Sequence, residues 1–224
     1  MKLTVPTLLS FAAGYTDTAG FLAMHGLFTA HVTGNFVTIG AALVMGATGI
    51  VTKLLALPTF CVAVILARLL RYRLVAAGRP VFRTLLAIQL VLLVLGGGVA
   101  IWHGRFEQGD APAAMFAGLV LVAGMAVQNA VQRVHLGKAP PTTMMTGTTT
   151  QLMLDVADLL HGVPQEQRAA ARTRMASMGG AVLTFAAGCA AAALLYRYAG
   201  MWCFALPPVL VFAALCHRDT AGDA

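Results

Sequence analysis

Residues 14–35 read GYTDTAGFLAMHGLFTAHVTGN, and the other elements of the chain are arranged around them. They place one carboxylate, Asp17, in an apolar segment, break that segment with a turn rich in Gly, Thr and His, and end in the string TGN. Residues 124–148, GMAVQNAVQRVHLGKAPPTTMMTGT, repeat this outline about 112 residues later, with Asn129 in the place of Asp17 and TGT in the place of TGN. This duplication predicts a chain built from two related halves.

The composition excludes an ordinary soluble domain. Of the 224 residues, 59% are hydrophobic and only 10% are charged, and the mean hydropathy is +0.81. A soluble domain carries about 25% charged residues, so this chain predicts a protein whose solvent is the bilayer. The formal net charge of +7 does not indicate a nucleic-acid partner, because the Lys and Arg residues lie in short connections between apolar runs.

The apolar runs predict an all-α polytopic membrane protein. Six long helices are expected, and two shorter segments lie at 36–48 and 148–160. Each half then contains a long helix with a polar residue, a broken turn, a short segment and two more long helices. Two repeats of about 110 residues follow, 1–110 and 111–224, in one integrated membrane domain, and such repeats are common in secondary transporters. The long helices are predicted at 5–24, 54–70, 84–102, 112–131, 175–195 and 201–216.

The distribution of positive charge favours six membrane spans. If the two short segments also span, the 15 Lys and Arg residues divide seven against eight between the two sides. If the short segments enter the membrane and return, the division is twelve against three, as the positive-inside rule expects. We therefore prefer six spans over eight, with both termini in the cytoplasm. Three spans per repeat make the two repeats inverted.

Two polar side chains in the predicted helices are candidates for chemistry. A carboxylate at the position of Asp17 is costly in a bilayer, so it is either a structural group bonded across helices or a site for a proton or cation. Asn129, beside Gln128, is either a bridge between helices or part of a site for a polar solute. His31 could relay protons beside the first break, and Asp155 and Asp158 are expected to pair with Arg133 or Arg172.

The two Thr-Gly pairs stand where a short helix would begin. A Thr or Asn there can cap free N–H groups, and a half-helix N-terminus in the membrane attracts anions. No catalytic residue, cofactor or metal is expected, because no Cys or Asp completes a ligand set with the histidines. The predicted substrate- or ion-binding residues are Asp17, His31, Thr33, Gly34, Asn35, Gln128, Asn129, Thr146, Gly147 and Thr148.

The strings AGYTDTAGFLAMHGLFTAHVTGN and MTGTTTQLMLDVADLL resemble the YoaK family of bacterial inner-membrane proteins, a domain of unknown function. The resemblance implies a multi-pass protein of the bacterial inner (cytoplasmic) membrane, and it implies no substrate or mechanism. The matching residues are Gly14, Tyr15, Asp17, Thr33, Gly34, Asn35, Gln128, Asn129, Thr146 and Gly147.

Three functions agree with these patterns. The first is a small-solute transporter or channel, not an enzyme, with a polar midplane site formed by the two broken elements; its partners would be the lipid bilayer, a small polar solute and a proton or cation. The second is a membrane-embedded enzyme or assembly factor, in which His31 and Asp17 act on a lipid-like substrate. The third is a structural membrane protein. The pattern names neither the substrate nor the oligomeric state.

The division of charge predicts which connections face the cytoplasm. Single cysteines introduced at 71–79 and at 164–172 should react with an impermeant thiol reagent only from the cytoplasmic side. A cysteine at Gln108 should react from the outside. Labelling of position 108 from the cytoplasm alone would show that the orientation is reversed.

Overall fold

The computed structural model describes residues 4–137, 139–162 and 164–217, apart from the side chain of Glu166, and these residues form helices without a strand. The all-α fold class is therefore confirmed for the described chain, whereas the two termini and Lys138, which entered the charge count, lie outside it. The helices are α1 (Val5–Ala23), α2 (Gly34–Met45), α3 (Ile50–Ala76), α4 (Val81–His103), α5 (Pro112–His135), α6 (Met145–His161), α7 (Gln165–Ala199) and α8 (Leu206–Cys216), with a 3-10 helix at Gly200–Ala205 before α8.

Two predicted boundaries near the end of the chain need correction. The basic stretch after residue 164, which we expected as a connection, is the first part of α7. Its Gln, Glu, Arg and Ala residues are strong helix formers, so the helix begins in water and continues into the apolar segment. The predicted helix at 201–216 is instead a 3-10 helix followed by α8, and Pro207 and Pro208 lie in the first turn of α8, where proline is tolerated.

Helices α3, α4 and α5 and the run 167–216 are long and apolar enough to cross a membrane. At 1.5 Å per residue, the 12 residues of α2 extend about 18 Å and the 17 residues of α6 about 25 Å. Both lengths fall short of the ~30 Å hydrocarbon core. The two short segments of the sequence are therefore short helices in the structure as well.

Helix α1 lies in the interior of the helical bundle. It has 19 residues, of which 13 are buried, and its main contacts are with α7 and α8. A helix enclosed by other helices meets little lipid, which explains how α1 tolerates two Gly, three Thr and a carboxylate. Tyr15 fixes its position, because the fully buried phenol donates a hydrogen bond to the carbonyl oxygen of Cys203 at 2.8 Å.

The packing partners form matched pairs. The first helix of the first half, α1, packs on α7 and α8, and the first helix of the second half, α5, packs on α3 and α4. The short helices pack on the long helices that follow them, α2 on α3 and α6 on α7, and α4 packs on α8. The contacts of α5 with α3 and α4 thus resemble those of α1 with α7 and α8.

Two glycines allow α1 and α7 to approach closely. A Cβ atom at Gly14 would overlap the carbonyl oxygen of Phe185, and one at Gly188 would overlap the carbonyl oxygen of Phe11. The small residues on the face of α1 that bears Gly14 thus bring a neighbouring helix close, as small residues do in membranes.

Asp110 joins the connection before α5 to the beginning of α3. Its carboxylate accepts hydrogen bonds from the N–H groups of Gly49 and Thr52, at 3.1 and 2.8 Å, and from the Thr52 hydroxyl at 2.9 Å. Gly109 adds a bond from its N–H to the Thr48 hydroxyl. Burial by itself raises the pKa of Asp110, but these hydrogen bonds outweigh it and hold the pKa below its usual range. Asp110 thus caps α3 from another part of the chain.

The α1–α7 contact gives a stability prediction. Replacing Gly188 with Ala should destabilise the fold by about 1–3 kcal/mol, because the added methyl group overlaps the Phe11 carbonyl. Gly98 is the control, since a Cβ there meets no atom within 4 Å; Gly98→Ala should be neutral or stabilising by up to ~1 kcal/mol. Thermal unfolding in detergent measures both. Equal stability of the two variants would contradict the close contact.

Candidate functional site

The carboxylate of Asp17 holds the turn between α1 and α2. Its Oδ1 accepts hydrogen bonds from the N–H groups of Thr29 at 2.7 Å and Ala30 at 2.8 Å, and from the Thr29 hydroxyl at 3.3 Å. Its Oδ2 lies 2.7 Å from Nδ1 of His31. Both oxygens of the carboxylate thus have a hydrogen-bond partner. The buried N–H groups of Thr29 and Ala30 both use Oδ1 as their acceptor.

The chain reaches this position by reversing direction directly after α1. His25 has φ of +53° and Gly26 has φ of +85°, two consecutive left-handed residues that end the helix and turn the chain back. Asn35 then fixes the segment that returns after this turn. Its Oδ1 accepts a hydrogen bond from the Phe28 N–H at 2.8 Å, and its Nδ2 donates one to the Phe28 carbonyl at 2.9 Å. Residues 29–31 are thereby placed beside Asp17.

His31 is the solvent-facing member of the pair. Its side chain is 35% exposed, whereas that of Asp17 is 5% exposed. Because an ionised carboxylate can only accept, the hydrogen-bond network assigns the proton to Nδ1 of the ring. The rings of Phe28 and Phe185 meet the imidazole edge to face, at centroid distances of 6.4 and 5.6 Å. The ring is thus fixed on three sides, and no hydrogen bond to Nε2 is found among the described residues.

The second half contains a neutral pair at the matching place. Oδ1 of Asn129 accepts a hydrogen bond from the Thr143 hydroxyl at 2.7 Å, and its Nδ2 donates to the Met125 carbonyl at 3.0 Å. Both members lie 112 residues after Asp17 and His31. In each half, a side chain of the first long helix therefore bonds to the turn that follows it. The pair is titratable in the first half (Asp17 and His31) and neutral in the second half (Asn129 and Thr143).

Gln128 joins three elements from inside the bundle. Its Nε2 donates to the Leu9 carbonyl at 2.9 Å and to the Thr142 hydroxyl at 3.1 Å, and its Oε1 accepts from Nε2 of Gln89 at 2.7 Å. Both amides are fully buried. Our sequence analysis missed Gln89, although the signal was present: it is the one amide among the 23 residues of the largely apolar helix α4.

The ten predicted site residues lie in several parts of the bundle. Gln128 of α5 lies beside Leu9, near the beginning of α1, while a Cβ at Gly118 would meet Leu27 and Met24, just past the end of α1. Helices α1 and α5 are therefore antiparallel, and Asp17 and Asn129 lie toward opposite ends of the bundle. The hypothesis of a shared midplane site for these two residues receives no support from this arrangement.

The Thr-Gly pairs begin the short helices but do not cap them. Thr33 is at the N-cap of α2 without a side-chain hydrogen bond to the helix, and Asn35 bonds to Phe28 instead. Thr146, Gly147 and Thr148 lie inside the first turns of α6, whose N-cap is Met144. The hydroxyl of Thr148 donates to the Met144 carbonyl at 3.2 Å.

Asp155 pairs with a different arginine from those expected. Arg174 of α7 donates two hydrogen bonds to its carboxylate, at 2.6 and 3.0 Å, instead of Arg133 or Arg172. The extension of α7 into the basic stretch accounts for this, because it brings Arg174 against α6. Asp158 is exposed, although it shares the helix with the buried Asp155.

A family model described as "Protein of unknown function (DUF1275)" matches residues 5–217. The chain belongs to this family. The expected YoaK resemblance agrees with it, because that family falls within the matched one. The chain has no significant match among curated proteins or solved structures. The family is thus established for nearly the whole chain, and it brings no activity or substrate with it.

The hydrogen bonds of Asp17 predict different effects for two substitutions. Asp17→Ala leaves the N–H groups of Thr29 and Ala30 without their acceptor and should destabilise the fold by about 3 kcal/mol. Asp17→Asn keeps Oδ1 for both donors, and its amide can donate to Nδ1 of the other His31 tautomer, so the loss should stay within ~1 kcal/mol. Thermal unfolding distinguishes the two. An equal loss for both variants would mean that the charge itself holds the turn.

Proposed function

We propose that this protein is a small-solute transporter of the bacterial inner membrane, driven by protons that bind at the Asp17–His31 pair. The observation that carries the proposal is that pair: a buried carboxylate 2.7 Å from a half-buried imidazole, inside a helical bundle with membrane-length helices. Histidine is the side chain whose charge ordinarily changes between pH 5 and 8, and ionisable residues within membrane helices commonly belong to ion pathways and proton relays.

The comparison of the two halves supports a functional role for the charge. Asn129 and Thr143 hold the second turn with neutral groups, so this kind of turn does not require a carboxylate. A charge in the bilayer is costly. The titratable pair in the first half therefore has a use beyond fixing the chain, and binding a proton is the use that its chemistry supports.

In this proposal the turn itself couples the proton to movement. A carboxylate accepts stronger hydrogen bonds than a protonated carboxyl group, and Asp17 holds the backbone of Thr29 and Ala30. A proton delivered through His31 to Asp17 would weaken these bonds and loosen the turn, and α2 begins directly after it. Proton binding and the position of α2 are then linked, as a transporter requires.

The arrangement of helices supports two inverted repeats. The equivalent helices α1 and α5 are antiparallel, and each packs on the last two long helices of the other half. An axis in the membrane plane produces that pattern, and inverted repeats allow one half to rock against the other. In this proposal six helices span, both termini are cytoplasmic, and the turn at Asp17 opens outside while the turn at Asn129 opens inside.

An Asp–His pair also orients the general base of many hydrolases, so the enzyme hypothesis shares this observation. A nucleophile would have to lie within hydrogen-bond reach of the imidazole. Cys189 is a thiol that contacts α1 in this region, and it donates to the Gly14 carbonyl at 3.3 Å instead. The contacts therefore favour proton binding over nucleophilic catalysis.

Flux measurements in proteoliposomes test the proposal. With a pH gradient and a panel of small polar solutes, the unaltered protein should move at least one solute in a gradient-dependent way. Asp17→Asn and His31→Gln should reduce that flux to the level of protein-free vesicles, because neither variant keeps the titratable pair. The matched control is Thr143→Val, which removes the hydrogen bond of the neutral pair and should retain the pH dependence.

A second readout requires no substrate. Ala30 is buried in the turn, so a cysteine placed there reacts only when the turn opens, in a chain whose four native cysteines are replaced. Labelling should accelerate as the pH falls, and Asp17→Asn should remove that dependence. Full gradient-driven flux in Asp17→Asn, or unchanged pH-dependent labelling, would overturn the role of the pair.

A further inference from the structure

A cavity of about 380 Å³ lies between α3, α4 and α5, and it does not involve Asp17 or His31. Its wall is apolar and is formed largely by Phe60, Val64, Ala67, Leu85 and Ala130. The neighbouring residues of α3, among them Leu66 and Leu69, are exposed. In a membrane these residues face lipid, so the cavity adjoins the acyl chains of the bilayer.

Three arginines also line this cavity, together with Asn129, Val134 and Met144. Arg68 and Arg71 come from the last turns of α3, and Arg133 comes from the last turn of α5. No ion pair joins any of the three to a carboxylate among the described residues. The cavity is therefore apolar along its wall and strongly positive at one end.

Arg71 gives independent support for a ligand. Its Nε atom is buried and has no hydrogen-bond partner among the described residues. A buried donor without an acceptor is costly. Arg68, by contrast, is oriented by the chain itself, since its Nε donates to the Tyr72 hydroxyl at 2.9 Å and its guanidinium lies 4.9 Å from the centre of that ring. A ligand of this cavity would therefore be bound through an acceptor atom at Nε of Arg71.

We infer that this cavity binds an anionic phospholipid, with the phosphate on Arg68, Arg71 and Arg133 and the glycerol and first acyl carbons against the apolar wall. Guanidinium groups bind phosphate oxygens through paired hydrogen bonds. A free phosphate would use the arginines and leave the apolar wall empty, whereas an uncharged lipid would leave the arginines without counter-ions. The charge and the wall together fit a lipid with a net negative headgroup, and basic pockets between membrane helices bind such lipids.

Lipid titration of the purified protein tests this inference without any transport assay. Phosphatidylglycerol and phosphatidylcholine with the same short acyl chains are added in detergent, and bound lipid is counted by native mass spectrometry. The triple variant with Gln at Arg68, Arg71 and Arg133 should bind phosphatidylglycerol about a hundredfold more weakly. The control is a triple variant with Gln at Arg73, Arg79 and Arg83, which removes the same amount of charge nearby but outside the cavity. Its affinity for phosphatidylglycerol should stay within a fewfold of that of the unaltered protein.

A second measurement uses the unaltered chain, in case the triple variant does not fold. Phosphatidylglycerol with a photoreactive group on its first acyl carbons should crosslink to α3 and α5 around Val64 and Ala130. Equal binding of phosphatidylcholine, equal loss in both triple variants, full competition by inorganic phosphate, or crosslinks spread over the whole surface would each overturn the inference.

Discussion

Inside a bilayer, every backbone N–H or C=O group that leaves a helix must find a hydrogen-bond partner within the protein. The turn after α1 meets this constraint through a single carboxylate, because Thr29 and Ala30 both donate to Oδ1 of Asp17. The turn after α5 meets it through amides: Gln132 donates to the carbonyl groups of Leu136, Ala139 and Pro140, and Asn129 accepts from Thr143. The position of the short helices depends on these bonds, since each short helix begins directly after its turn.

The helices could be predicted because apolar runs and charged connections report directly on burial in lipid. The same signal failed at α7, because hydropathy detects only the part of a helix that lies in the membrane. Gln165 begins that helix well before the apolar run does, and the helix propensity of Ala, Arg and Gln was the information that would have located it. The same error gave the wrong partner for Asp155, because Arg174 was not expected on a helix that faces α6.

The candidate site could be predicted only in part. Asp17, Asn129 and Gln128 were identified because a polar group in an apolar helix requires a partner. The partners themselves depend on the geometry of turns, in particular on the left-handed residues His25 and Gly26, which sequence patterns describe poorly. Of the cavity arginines, Arg68 and Arg71 were used only to assign topology, and Arg133 was also expected to pair with Asp155 or Asp158. Their convergence between α3 and α5 is a property of packing, and no spacing in the sequence encodes it.

The turn after α1 and the turn after α5 lie at opposite ends of the bundle. Their positions limit where a solute pathway can run. Asp17 is six residues before the end of α1, and Asn129 is six residues before the end of α5, which corresponds to a depth of about 9 Å from each helix end. Because α1 and α5 are antiparallel, these depths are measured from opposite faces. A transporter with alternating access needs two such turns, one to close the pathway at each face of the membrane. An enzyme whose site opens to one face needs only one. In that arrangement the titratable pair belongs to one gate alone, so a proton would bias one face of the protein and leave the hydrogen bonds of the other turn unchanged.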